Sequence, residues 1–207
     1  MMDSVLDYLE YLFPNPKCEL NYNKDYELLI AIVLSAQTTD KRVNNVTDVL
    51  FKKYYNIKLL SEASISDIEN IIREIGTFRR KSIYVKKIAT RLFNDGYNYV
   101  PNDREYIESL PGVGRKTANV FLSNIYDEAA IAVDTHVSRV SKRLGLVNDD
   151  DNVQIIEKKL EKKIAKEKWG KVHHQLVLFG RYRCKAISPM CDDCKIKNIC
   201  RYKKTDD

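Results

Sequence analysis

The sequence has few of the residues that make turns and no stretch that could span a membrane. Its 207 residues include only 7 glycines and 5 prolines, so few positions favour a tight turn or interrupt a helix. No segment alternates apolar and polar residues as a half-buried strand does, and no low-complexity linker is present. The longest apolar run, residues 28–34, is too short to cross a bilayer. These shortages favour helices with short connections and exclude a membrane span.

The first residues, Met-Met-Asp-Ser-Val, lack the basic and then apolar pattern of a secretory signal. We therefore expect a cytoplasmic protein, associated with the nucleoid if the source is prokaryotic. Cysteines in a reducing compartment are more often metal ligands than disulfides. This matters because the chain has five cysteines.

The composition is that of a globular protein with a moderate positive charge. Hydrophobic residues make up 44% of the chain, enough for a packed core, and charged residues make up 31%. The formal net charge is +6. That charge suits a partner that carries phosphates, although many basic proteins bind nothing anionic.

Every strong periodic pattern in the chain is helical, which predicts an all-α fold of about ten helices. Asp25 is expected to cap a buried helix. Ser66 and Glu69 have the spacing of a capping box at the start of another helix. Gly76 and Gly96 lie where glycines commonly end helices.

The sequence Leu-Pro-Gly-Val-Gly-Arg-Lys at 110–116 joins two helical patterns. Glycines allow a sharp reversal and let a phosphate approach backbone amides at a helix N-terminus. The residues predicted to hold a DNA backbone are Gly112, Val113, Gly114 and Arg115. A plain helix–turn–helix reversal is the alternative, but glycine, proline, arginine and lysine together favour phosphate binding.

Two further residues have the chemistry of a nucleophile and a base. Lys116 lies nearly opposite the apolar stripe of its helix, so its amine is predicted to point into solvent or a cleft. An ordinary surface lysine is the alternative. Asp134 has the position of an N-cap, and a carboxylate there could also accept a proton or stabilise a cationic sugar. His136, two residues later, is more often a hydrogen-bonding residue at a helix start than a catalyst.

Four of the five cysteines follow a C-x6-C-x2-C-x5-C pattern within the last part of the chain: Cys184, Cys191, Cys194 and Cys200. Four thiolates on a short loop predict either a 4Fe–4S cluster or structural zinc. Two disulfides are the remaining alternative. Cys18 stands apart and is expected to be a small buried residue.

These features together resemble the endonuclease III family, within the helix-hairpin-helix DNA glycosylase superfamily. The resemblance runs from about residue 25 to the last cysteine. It rests on the motifs at 34–40 (Leu-Ser-Ala-Gln-Thr-Thr-Asp), 110–119, 132–137, 173–174 (His-His) and 180–182 (Gly-Arg-Tyr), and on the cysteine spacing. Any one motif could arise by chance, but all of them in this order identify the family.

The resemblance implies two helical domains that flank a DNA-binding groove. A six-helix barrel with the helix-hairpin-helix would span 23–132. The other domain would join 1–22 to 133–207 and carry a 4Fe–4S cluster on the loop 184–200. We expect a monomer with no membrane association.

The resemblance also implies roles for individual residues. Lys116 matches the catalytic nucleophile, and Asp134 matches the catalytic aspartate. Gln37 matches a residue that fills the gap left by a flipped nucleotide, and His136 falls where a residue lines the site. Thr77 departs from the pattern, since the family often has a bulkier apolar wedge there. The resemblance still implies a DNA contact at Thr77, with either a weaker wedge or an altered opposite-base preference.

The implied function is base excision repair of oxidised pyrimidines in duplex DNA, by a glycosylase that also cleaves abasic sites as a lyase. The alternatives are a monofunctional mismatch glycosylase of the same superfamily, which typically lacks lysine at position 116, and a non-catalytic DNA-binding module stabilised by metal. A zinc protein is the third.

Overall fold

A computed structural model describes residues 2–202, and the terminal segments Met1 and 203–207 of the predicted second domain lie outside the described residues. All regular structure in residues 2–202 is helical, which confirms the predicted all-α class. The described residues form two compact units, Glu19–Tyr126 and Met1–Cys18 with Asp127–Asp207. The predicted domains, 23–132 and 1–22 with 133–207, have slightly different limits and remain a prediction.

The α-helices are α1 (Met2–Leu12), α2 (Asp25–Ser35), α3 (Asp40–Lys53), α4 (Ile57–Glu62), α5 (Ile65–Ile71), α6 (Phe78–Asn94), α7 (Arg104–Ser109), α8 (Arg115–Ile125), α9 (Thr135–Arg143), α10 (Val153–Lys163) and α11 (Trp169–Tyr182). Two short 3₁₀ helices lie at Lys166–Lys168 and Lys197–Ile199. No helix in the described part of the chain has the length and apolar content needed to span a membrane.

Helix α2 lies at the centre of the Glu19–Tyr126 unit. All of residues 26–34 are buried, and the helix packs against α3, α6 and α8. Glu27, although charged, is buried and accepts hydrogen bonds from the backbone amide of Asn23 at 2.8 Å and from that of Lys24 at 3.3 Å. The buried Glu27 carboxylate thus has hydrogen-bond donors at the start of the helix, as a buried charge requires.

Two of the predicted helix starts were wrong by one or two residues. Helix α2 begins at Asp25, so Lys24 is its N-cap. Asp25 Oδ1 accepts from the amide of Tyr26 at 2.6 Å, and Oδ2 accepts from the backbone amide of Val100 at 2.8 Å, a long-range contact that sequence spacing does not reveal. Helix α5 begins earlier than predicted, because Ser64 is the N-cap and its hydroxyl accepts from the amide of Asp67 at 3.1 Å.

Of the two predicted helix-ending glycines, only Gly96 has that role. Gly96 has φ +79° and its amide donates to the carbonyl of Phe93 at 3.1 Å, closing α6. Gly76 does not cap α5, which ends at Ile71. The left-handed residue is Thr77, with φ 57°, and it precedes α6 instead of following α5. Helix α5 ends in turns that need no glycine.

In the other unit, helices α9 and α11 pack closely, and α1 and α10 add to the same apolar core. Gly180 on α11 allows this packing. A Cβ atom added at Gly180 would lie 2.9 Å from Cβ of His136 and 3.2 Å from Cγ2 of Val140. A side chain at position 180 would therefore push α9 and α11 apart.

We predict that Gly180→Ala lowers the free energy of unfolding by about 1–3 kcal/mol, because a methyl group overfills this contact. Thermal unfolding followed by circular dichroism measures the change. Gly76→Ala is the control, since a Cβ there would be 4.0 Å from its nearest neighbour, the carbonyl oxygen of Gln37. If the two variants are equally stable, the packing of α9 against α11 does not depend on the absence of a side chain at Gly180.

Candidate functional site

The segment 110–114 forms a tight hairpin between α7 and α8. Leu110 and Val113 are buried, and the amide of Val113 donates to the carbonyl of Leu110 at 3.1 Å. Gly112 and Gly114 are exposed on either side of Val113. The apolar side chains anchor the hairpin in its unit, so the glycine backbone faces solvent. The buried Val113 side chain therefore serves the packing of the hairpin.

Gly112 is held against an aromatic ring. Its φ is +81°, a conformation that glycine adopts without steric cost. A Cβ added there would lie 2.5 Å from Cδ2 of Tyr84, a residue of α6. The guanidinium carbon of Arg80 lies 5.4 Å from the centroid of the same ring. Tyr84 of α6 therefore packs against the hairpin at Gly112.

The start of α8 has the character of an anion site. Gly114 is its N-cap and has no side chain to occupy the amides of the first turn. Those amides carry the partial positive charge of the helix dipole. Helix α8 is also tied to α7, because Arg104 Nη1 donates to Oδ1 of the buried Asn119 at 2.8 Å. The two helices therefore present the hairpin as a rigid element.

Lys116 lies on the first turn of α8 and is exposed. Ala118, Phe121 and Leu122 form the buried face of the same helix. This confirms the predicted direction of the side chain, away from the core. The amine is therefore accessible to a ligand held by the hairpin amides next to it.

We predict that Gly114→Ala weakens binding to duplex DNA about 10- to 100-fold, because a methyl group would keep a phosphate from the charged hydrogen bonds of these amides. The fold itself should be unaffected, since an added Cβ meets nothing within 4 Å and φ is −110°. Fluorescence anisotropy with labelled duplex measures affinity, and thermal unfolding is the control. Unchanged affinity would mean that no phosphate approaches Gly114.

The two residues predicted to enter the duplex both have left-handed backbones. Gln37 has φ 56° and follows α2, and Thr77 has φ 57° and precedes α6. Both side chains are exposed. For a β-branched threonine this conformation is strained, and its hydroxyl donates to the carbonyl of Gly76 at 2.6 Å. Such strain persists where the surrounding structure fixes the backbone, and it is common at functional sites.

In the other unit, Asp134 is the N-cap of α9, as predicted. Its Oδ1 accepts from the amide of Val137 at 2.8 Å, and the side chain is half-buried. Burial lowers the pKa of His136 below its usual value of about 6.5, and Arg139 adds to the shift while Asp134 opposes it. The His136 imidazole is therefore neutral at pH 7 and available as a hydrogen-bonding group.

The cysteine loop follows α11. Its four half-buried thiols line a single pocket whose other walls are mainly apolar, including Leu144, Phe179, Pro189 and Met190. Burial raises the pKa of the Cys194 thiol, and the other three thiols add to the rise. No three His, Cys, Asp or Glu side chains in residues 2–202 converge closely enough to hold one metal ion. The thiols instead surround a shared space.

Two arginines of α9 hold this loop in place. Arg139 Nη2 donates to the carbonyl of Gly180 at 2.7 Å, and its Nε donates to that of Cys184 at 3.2 Å. Arg143 Nη1 donates to the carbonyl of Lys185 at 2.7 Å and lies 3.4 Å from the Cys184 sulfur. These hydrogen bonds fix the backbone of the loop at its first cysteine.

Comparison with known proteins identifies the family. The family model for HhH-GPD superfamily base excision DNA repair proteins matches residues 30–166. The chain belongs to this superfamily. It is 44% identical over 200 residues to endonuclease III of Bacillus subtilis (strain 168), covering 97% of this chain and 91% of that one. For endonuclease III of Escherichia coli (strain K12) the values are 40% over 200 residues, 97% and 94%.

Among solved structures, the chain matches a trapped covalent intermediate of endonuclease III with DNA at a TM-score of 0.94 and 46% identity. The match covers 99% of this chain and 96% of that chain. A thermostable thymine-DNA glycosylase has a TM-score of 0.83 at 23% identity, which shows a shared fold. The likeness to endonuclease III therefore extends over nearly the whole chain.

Several residues that support these HhH-GPD features were not predicted from sequence: Lys81, Tyr84, Arg104, Asn119, Arg139 and Arg143. The helical pattern of α6 could have identified Lys81. Lys81 shares a helical stripe with the buried Val85, Ile88 and Leu92 of α6, and a lysine among apolar residues needs buried partners. The two arginines, four residues apart on α9, lie on one face and could have been found in the same way.

Proposed function

We propose that this protein removes oxidised pyrimidines from duplex DNA and cleaves the resulting abasic site, with Lys116 as the nucleophile. Membership of the HhH-GPD superfamily makes it a DNA glycosylase of base excision repair. The observation that carries the fuller proposal is the exposed amine of Lys116 directly after a glycine hairpin suited to phosphate. The partner is duplex DNA with a damaged base or an abasic site.

A stacked base is out of reach of any side chain, so the damaged nucleotide must leave the helix first. Extrusion costs a few kcal/mol, and less where damage weakens stacking or pairing. The hairpin amides at 112–114 would hold the backbone phosphate during this step. We assign Gln37 to the gap left behind, and Thr77 to a neighbouring contact with the bases.

The neutral Lys116 amine would then attack C1′ of the sugar. A C–N bond forms, the glycosidic bond breaks, and the base leaves with the bonding electrons. Opening of the sugar gives a Schiff base, which makes the C2′ proton acidic. Loss of that proton expels the 3′ phosphate by β-elimination. One amine therefore accounts for both activities, whereas an activated water would release the base without cutting the strand.

We assign Asp134 to proton transfer and charge stabilisation. A carboxylate can accept the ammonium proton of the nucleophile and can stabilise the cationic sugar formed as the base departs. Capping α9 fixes the position of Asp134 while leaving its second oxygen as a further acceptor. His136, as a neutral donor or acceptor on the same helix turn, would line the site.

The four cysteines fit a 4Fe–4S cluster, because four thiols line one pocket with largely apolar walls. Such clusters are typical of the endonuclease III family. When bound, the cluster would cross-link the loop 184–200 and hold its lysines and arginines toward DNA phosphates. No redox step is needed for this role.

We predict that Lys116→Gln lowers strand cleavage about 1,000-fold or more, because the imine cannot form without the amine. Gel electrophoresis after a single turnover on duplex with one oxidised pyrimidine measures the effect. Lys87→Gln, which removes an exposed lysine of α6, is the control. Retained cleavage by Lys116→Gln would contradict the assignment. Base release without cleavage by the natural protein would indicate a water-using glycosylase.

We also predict that Cys194→Ser abolishes the brown colour and bound iron of the purified protein, since a 4Fe–4S cluster needs four thiolates. Visible absorption and iron analysis provide the measurement. Cys18→Ser is the matched control, because Cys18 is half-buried but does not line the pocket. A colourless natural protein loaded with zinc would contradict the cluster assignment.

A further inference from the structure

Lys81 is a buried cation inside the Glu19–Tyr126 unit, with only 4% of its surface exposed. Its Nζ donates to the carbonyl oxygens of Leu34 at 2.9 Å and Ala36 at 2.7 Å, and to Oγ1 of Thr38 at 3.2 Å. An ammonium group has three protons, so all three can be used. Burying a charge is costly unless it is satisfied in this way, which argues that the group has a specific task.

The three acceptors lie on both sides of Gln37. Leu34 and Ala36 precede it and Thr38 follows it, so Lys81 holds the chain that carries Gln37 at both ends. Gln37 itself is exposed and has a left-handed backbone. A non-glycine residue is less stable in this conformation and persists there when the surrounding structure fixes its flanks. The three hydrogen bonds of Lys81 fix the flanks of Gln37.

The backbone of Lys81 is hydrogen-bonded to the loop that contains Thr77. Its amide donates to the carbonyl of Thr77 at 3.1 Å in the first turn of α6. The two loops also lie against each other, since a Cβ added at Gly76 would be 4.0 Å from the carbonyl oxygen of Gln37. One residue therefore contacts the segments of both Gln37 and Thr77, and all these contacts lie within one unit.

We propose that Lys81 is a positioning residue that fixes Gln37 and Thr77 relative to each other for entry into the duplex as the nucleotide leaves it. This inference rests on the role assigned to Gln37 under the proposed function. Lys81 touches neither the reacting sugar nor the base in this account. It acts by keeping two strained loops in one arrangement, so that DNA binding need not order them.

The test is a double-mutant cycle on nucleotide extrusion. The probe is duplex DNA with one oxidised pyrimidine and a neighbouring 2-aminopurine, whose fluorescence rises when it unstacks. Stopped-flow measurements compare the natural protein with Lys81→Met, Gln37→Ala and the double variant. Lys81→Met removes the three hydrogen bonds while keeping an unbranched side chain of similar length.

We expect Lys81→Met and Gln37→Ala each to lower extrusion about 10- to 100-fold, because a misplaced positioning group has effects of that size. The loss caused by Lys81→Met should be several-fold smaller in the Gln37→Ala background than in the natural protein, because most of the effect of Lys81 passes through Gln37 and only the part that passes through Thr77 remains. A merely structural role of Lys81 would instead give effects that multiply. Multiplying effects, or normal extrusion by Lys81→Met, would overturn the inference.

Failure of this inference is distinguishable from failure of the proposed function. Normal extrusion by Lys81→Met alongside impaired Gln37→Ala overturns only the role of Lys81. Normal extrusion by Gln37→Ala overturns the assignment of Gln37, and the role of Lys81 with it. Lys86→Met is the matched control, because Lys86 is also on α6 and donates to a backbone carbonyl, that of Ser61, away from these loops.

A milder variant keeps the test usable if Lys81→Met does not fold. Thr38→Val removes one acceptor of the Lys81 ammonium and keeps the size of the side chain. We expect a smaller loss of extrusion that also shrinks in the Gln37→Ala background. A loss that is undiminished in that background would count against positioning through Gln37.

Discussion

The carbonyl groups at the end of a buried helix need hydrogen-bond donors, and here a lysine ammonium group supplies them. Residues 26–34 of α2 are buried, and the last carbonyls of the helix and the following loop face Lys81 of α6. One turn further along α6, Tyr84 lies against Gly112 of the hairpin. Helix α6 therefore holds three segments in place: the loop with Gln37, the loop with Thr77, and the glycine hairpin before Lys116.

In the unit that contains α9 and α11, arginine side chains supply hydrogen-bond donors to loop carbonyls. Residues 183–196, which follow α11, have no regular secondary structure, and Arg139 and Arg143 of α9 donate to their carbonyls at Cys184 and Lys185. The same two guanidinium groups bring positive charge close to Cys184. In both units, a cation on a rigid helix orders an irregular loop, which is how a functional loop gains a defined geometry without extra secondary structure.

Much of this arrangement was predictable from sequence. Helical periodicity gave the all-α class, and the glycine hairpin, the direction of Lys116 and the capping role of Asp134 followed from local rules. Local rules failed where a distant contact decided the outcome, as for Asp25, which binds the amide of Val100 instead of capping α2. The hydrogen-bond partners of Lys81 and the Lys185 carbonyl that Arg143 binds lie more than 40 residues away in sequence, so no local spacing could reveal them.

The central claim is that one amine, that of Lys116, performs both base removal and strand cleavage. Sodium borohydride reduces a Schiff base to a stable amine, so it should join the protein covalently to duplex DNA that carries an oxidised pyrimidine. Digestion and mass spectrometry of this adduct would locate the attached residue. We expect a single modified peptide with the sugar on Lys116. An adduct on another residue, or base release with no adduct at all, would contradict it.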